Sequence, residues 1–100
     1  MEYLKGQGYL IFDTNYRCPY GEIDLICQDT DGTIVFVEVK ARSNKRFGHA
    51  SESLTALKCQ KIRKTSQFYI VEKRLRSQQA FRYDVIVFQN NRMEHIVNAF

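Results

Sequence analysis

Val35-Phe36-Val37-Glu38-Val39-Lys40 is strongly β-forming sequence with an acid and a base set two residues apart. Side chains alternate across a strand, so Glu38 and Lys40 share one face while Val35, Val37 and Val39 enter a core on the other. A second run, Gly21-Glu22-Ile23-Asp24-Leu25-Ile26, has the same character. Strict alternation predicts Glu22 and Asp24 on one face of it and Ile23 and Leu25 on the other. If the turn at Asp29-Thr30-Asp31-Gly32 pairs the two runs, Asp24, Glu38 and Lys40 converge near one edge of a small sheet. Two carboxylates and a lysine in that arrangement suit a hard divalent cation and a phosphodiester.

One hundred residues make a single domain, 1–100, with one core. The apolar content and the single proline exclude a disordered chain. No run nears the roughly 20 apolar residues of a membrane span, and the amino end lacks a signal-peptide pattern. A soluble, cytoplasmic protein is expected, without membrane association. Cys18, Cys27 and Cys59 are an odd set without short paired spacing, which favours reduced thiols over a disulfide framework or structural zinc.

Charge is unevenly placed. From Lys40 to Arg76 eleven Lys and Arg face only Glu52 and Glu72, a net of +9, and the rest of the chain carries a net of −5. A basic footprint beside a carboxylate site is what an enzyme acting on a polyanion needs. The alternative is a helix with a solvated basic face. On the first view Arg42, Lys45, Arg46, Lys61 and Lys64 contact nucleic acid, and charge by itself does not separate DNA from RNA.

In chain order, Met1 to Gly8 reads as the last turn of a helix stopped by Gly6 and Gly8. A strand from Tyr9-Leu10-Ile11-Phe12 runs through Arg17 to a turn at Pro19-Tyr20-Gly21. Strands follow at Glu22–Cys27 and Thr33–Ala41, then a loop from Arg42 to Ser53. Ser53 or Thr55 caps a long helix, Ala56 to about Leu75. Leu54, Leu57, Phe68 and Leu75 form its expected sheet-facing stripe, flanked by Ile62 and Tyr69. Lys58 and Lys61 fall inside that arc, so they either reach something negative or snorkel past the contact. Strands at Phe81–Gln89 and Met93–Val97 close the chain. The expected architecture is a mixed α/β sheet covered by the long helix, the connection through it making a right-handed crossover.

Phosphodiester hydrolysis needs charge neutralisation, an acidified water and in-line geometry. Mg²⁺ or Mn²⁺ can be held by one or two carboxylates plus substrate oxygens and waters. Asp24 and Glu38 are the candidate metal ligands, with the Val39 carbonyl as a backbone ligand. Lys40 either stabilises the developing phosphorane charge or orients the attacking water. His49 is a loop histidine that reads as a surface residue or a proton shuttle, and His95 has no evident partner. Asp84, two residues after Arg82 in an apolar strand, is expected to pair with a base for structural reasons. Phe68 and Tyr69 suit base stacking, although their helix positions favour core packing.

Gly21 to Ile26, Val35 to Arg42, Phe47-Gly48, Lys58, Arg82-Tyr83-Asp84-Val85-Ile86 and Asn98-Ala99-Phe100 together resemble the YraN-like family of bacterial proteins. That family is similar to the restriction endonuclease-like nucleases with a PD-(D/E)-x-K motif, and among them to archaeal Holliday-junction resolvases. The resemblance runs from about Tyr3 to Phe100. It implies a restriction endonuclease-like mixed sheet flanked by helices, with Asp24 and Glu38 as the metal-binding acids, Lys40 as the catalytic lysine and Lys58 as a supporting base. Glu22 is a lesser site candidate. The family's fuller first helix carries a glutamate aimed at the metal, and here that helix is shortened. Either the start is truncated or the site lacks one carboxylate. The implied activity is metal-dependent cleavage of DNA, branched or damaged forms included; the alternative is a nucleic-acid-binding module without chemistry. A homodimer, formed through an exposed sheet edge, is a further expectation.

Overall fold

The structure, a computed structural model, describes residues 1–42, 55–75 and 79–100, with Arg42 represented by its backbone. Lys45, Arg46, Phe47-Gly48, His49, Ser53 and Leu54 lie outside the described residues, as does the Arg42 side chain. The elements run α1 (Glu2–Gly6), β1 (Leu10–Cys18), β2 (Gly21–Gln28), β3 (Ile34–Arg42), α2 (Ala56–Glu72), β4 (Phe81–Gln89) and β5 (Arg92–Ile96).

The five strands form one sheet in the order β1-β2-β3-β4-β5. Tight turns join β1 to β2, β2 to β3 and β4 to β5, and these pairs are antiparallel. The connection through α2 makes β3 and β4 parallel, from Ile34↔Phe81 to Arg42↔Gln89. The central strands are covered on both faces, which accounts for the unbroken buried runs Ile34–Val37 and Asp84–Val87. One face packs Leu25, Cys27, Val35, Val37 and Ile86 against Leu4 of α1. The other packs Ile23, Ile26, Ile34 and Phe36 against Ile62 and Tyr69 of α2. Removing a fully buried ring such as Phe36 would cost about 3–5 kcal/mol.

Two features of the sheet depart from the sequence reading. Ile23 joins the α2 side together with Ile26, while Leu25 lies on the α1 side. Alternation is therefore broken at Asp24, and Ile23 and Leu25 do not share a face as expected. The opposing strand breaks phase at the same level: Asp13 and Tyr16 both reach Tyr69, and Asn15 between them takes a positive φ of 51°. The helix is also rotated from expectation. Its buried residues are Ile62, Thr65, Ser66 and Tyr69, whereas Leu57 and Phe68 are exposed, as are Lys58 and Lys61. Thr65 and Ser66 are tolerated inside because each hydroxyl donates to a helix carbonyl, those of Lys61 and Arg63 at 2.8 and 2.7 Å. Small residues also let α2 approach the sheet, and a Cβ on Gly21 would stand 3.2 Å from Thr65 Oγ1.

Opposite α2, Asp84 anchors a polar network beneath α1. Its Oδ1 accepts from Arg82 Nε at 3.0 Å and from the Asn98 N–H at 2.9 Å. Its Oδ2 lies 2.7 Å from His95 Nε2, and His95 Nδ1 lies 3.1 Å from the Tyr3 hydroxyl. Arg82 also reaches Asp29 and donates to the Tyr9 hydroxyl. Asp84 thus pairs with a base as expected, and His95 has the partners the sequence did not reveal.

Candidate functional site

Asp24 sits where two strands part. The paired rungs of β2 and β3 end at Leu25↔Val37, and two residues further along β3 the Val39 N–H donates to Asp24 Oδ2 at 2.8 Å. A side chain thereby replaces the backbone acceptor the ladder no longer supplies. The bond fixes the Asp24 carboxylate at the level of Glu38. On β3, Glu38 follows Phe36 with the period of a strand and so faces the α2 side. Thr55 caps α2 by accepting from the Lys58 N–H at 3.1 Å, which sets Lys58 in the helix's first turn.

Four functional groups meet at this fork between the strands. Glu38 is partly buried, and its carboxyl is pushed up to about 7, first by burial and then by its hydrogen bond to Asp24 and that neighbour's charge. Lys40 and Lys58 pull it the other way. Lys40 is held below the usual lysine range by burial and then by Lys58, whose amine is within hydrogen-bonding reach, while Glu38 and Asp24 oppose that shift. Each like-charged pair is thus strained, and each is relieved by the other. The arrangement can hold a proton between carboxyls, accept a cation between them, or present two amines to an anion.

Asp24, Glu38, Lys40 and Lys58 are brought together as the sequence led one to expect. Glu22 is not: it is exposed and ion-paired with Arg17 at 3.0 Å. Lys61 and Lys64 lie on the exposed surface of α2, one and two turns beyond Lys58. Among the described residues no three His, Cys, Asp or Glu side chains cluster as a metal site, so Asp24 and Glu38 stand there as a pair of carboxylates. Sequence reasoning passed over Tyr20, whose only signal was its place in the turn Pro19-Tyr20-Gly21. Its ring stands 6.2 Å from that of Phe68.

Fold and site define a small mixed α/β domain whose paired carboxylates and paired lysines gather at a fork between two strands. Within that class, the chain belongs to a group described as "Uncharacterised protein family UPF0102", whose sequence profile matches residues 1–88. It is 43% identical over 100 residues to a UPF0102 protein of Persephonella marina, covering 100% of this chain and 84% of that relative. A Sulfurihydrogenibium relative is 45% identical over 100 residues, covering 100% and 85%. A Clostridium botulinum relative is 45% identical over 86 residues, covering 86% and 69%. Among the described residues no helix is long and apolar enough to cross a membrane.

Proposed function

We propose that this protein is a divalent-metal-dependent nuclease of restriction endonuclease-like fold, hydrolysing phosphodiester bonds in DNA, branched or damaged forms included. The observation that carries the reading is the meeting of Asp24, Glu38, Lys40 and Lys58 at the fork of β2 and β3. Glu38 is raised to about 7 first by burial and then by the neighbouring Asp24 carboxyl, and a cation between the two carboxyls would offset both contributions. Asp24 and Glu38 would hold Mg²⁺ or Mn²⁺, with the Val39 carbonyl as a backbone ligand, and the ion's role is to neutralise phosphate charge and acidify a bound water.

The protein's own groups account for the rest. The Val39 N–H keeps the Asp24 carboxylate from rotating away. Lys40, partly buried, presents its amine where charge develops on the phosphate, and Lys58 approaches the same anion from the helix. Lys61 and Lys64, exposed on α2, supply positive field that attracts a polyanion.

A test is cleavage of labelled single-stranded, duplex and four-way-junction DNA, with RNA counterparts, in Mg²⁺ or Mn²⁺. Cleavage by the parent chain but not by Lys40→Ala, with folding and DNA affinity kept, is the expected result. A Lys40→Ala chain as active as the parent would sink the reading. A site with two carboxylates among the described residues favours one alternative, a nucleic-acid-binding module without chemistry, which predicts steeply salt-dependent binding and no turnover in either metal.

A further inference from the structure

Leu57 and Phe68, expected to face the sheet, lie instead on an exposed flank of α2, while Leu75 packs against the core as expected. Leu57, Lys61, Lys64, Phe68 and Val71 follow one another at intervals of four, three, four and three residues, which places them on one side of a helix. Leu57 is 62% exposed, Phe68 36% and Val71 77%, and both lysines are exposed. Tyr20, 54% exposed, leans in from the β1–β2 turn and meets Phe68 edge to face with 64° between the ring planes. Tyr20, Lys64, Phe68 and Val71 line a groove there, together with Gln67 and Glu72. Lys58, beside Lys40 and Glu38, lies about 15 Å along the helix from Phe68, at 1.5 Å per residue.

We propose that this flank, together with Tyr20, binds single-stranded nucleic acid, the lysines taking phosphates and the aromatic pair stacking bases. The inference rests on the nuclease reading and specifies its substrate as one with an unpaired segment beside the scissile phosphate. Aromatic faces next to a cationic track are what single strands need, because every base offers a π-face and every nucleotide a phosphate. A duplex keeps its bases stacked internally and cannot use the rings. Charge decides against a second copy of this chain as the occupant. The intervals are those of a helix–helix seam, but Lys61 and Lys64 hold two successive seam positions, and burying them against a like surface leaves unpaired charges. Glu72 stands at the helix's C-terminal end of the groove with its Oε1 accepting from the Tyr16 hydroxyl at 2.9 Å, and it marks where the phosphate track stops.

The test is fluorescence anisotropy of a labelled oligothymidylate and of a labelled blunt hairpin duplex, in EDTA, on the full chain. Tyr20→Ala and Phe68→Ala are each expected to weaken the single strand about tenfold and the hairpin less than twofold. Val71→Asp, at an exposed position that folding does not depend on, should weaken the single strand by repelling its phosphates. Lys64→Gln should lower the salt slope by about 0.7, the value for one phosphate on a single strand. Unchanged single-strand affinity in the Tyr20, Phe68 and Val71 variants, with hairpin binding intact, would overturn this proposal and leave the nuclease reading standing. Absence of binding to either probe would overturn both. If Val71→Asp converts a dimer to a monomer in sedimentation without altering oligothymidylate affinity, the flank is a chain–chain interface and the proposal fails.

Discussion

The Val39 N–H donates to Asp24 Oδ2 at 2.8 Å across the gap that opens between β2 and β3 beyond the Leu25↔Val37 rung. This bond joins fold to site, because beyond that rung the strand that carries Glu38 and Lys40 is tied to the strand that carries Asp24 by the candidate ligand itself. Asp24→Asn can still accept from that N–H but removes the neighbouring charge that adds to burial in raising Glu38. The Glu38 pKa should then fall from about 7 toward the ordinary glutamate range, read by NMR titration of the side-chain carboxyl. A value that stays near 7 would assign the shift to burial alone.

Stability should carry the same signature. The folded state holds a proton on Glu38 up to about pH 7, whereas the unfolded chain releases it near 4.5. Folding therefore takes up a proton between those values, and stability falls as pH rises through that window. Because Glu38 is only partly buried, solvent screening reduces the expected loss to roughly 1–2 kcal/mol. Urea denaturation at pH 5 and pH 8, compared with Glu38→Gln, measures it; the variant should lack this component.

Mg²⁺ or Mn²⁺ should raise the melting temperature at pH 8 more than at pH 5, since a cation competes with the proton for the same carboxyls. Glu38→Gln should abolish most of the effect, and EDTA should reverse it. A pH-independent shift, or one retained in the variant, would place the ion elsewhere.

The rotation of α2 is open to a direct check. Leu57→Gln should change stability by less than about 0.5 kcal/mol, as exposed substitutions do, whereas Ile62→Ala should cost about 2–5 kcal/mol. Comparable losses at both positions would mean that the helix presents its Leu57–Phe68 side to the sheet after all.

Asp84→Ala should be among the most damaging single changes, at about 3–5 kcal/mol, because it strands Arg82 and His95 without their shared acceptor and leaves the Asn98 N–H unpaired. Chemical denaturation measures the loss, and a cost under 1 kcal/mol would show that the Asp84–Arg82 pair contributes little to the fold. Tyr69→Phe, which removes only the 2.7 Å hydrogen bond to Asp13, should cost about 1 kcal/mol.

Much of this molecule was legible along the chain. The hairpin at Asp31-Gly32, the start of α2 behind Thr55, the strand Phe81–Gln89 and the parallel pairing across α2 follow from turn chemistry, capping and β-propensity, which act between neighbours in sequence. The convergence of Asp24, Glu38 and Lys40 was legible for the same reason, since one short hairpin fixes its register. What tertiary structure alone decided are relationships set by packing. Apolar residues are spread around α2, so periodicity could not choose its buried face; Thr65 and Ser66 fit close to Gly21 because they are small and satisfy their own hydroxyls. Alternation could not foresee the phase break at Asp24, which arises where the ladder ends and a carboxylate takes over its hydrogen bond. Nor could spacing link Tyr3 to His95 across 92 positions: long-range polar contacts depend on which surfaces the core brings together, and only the closed fold specifies that.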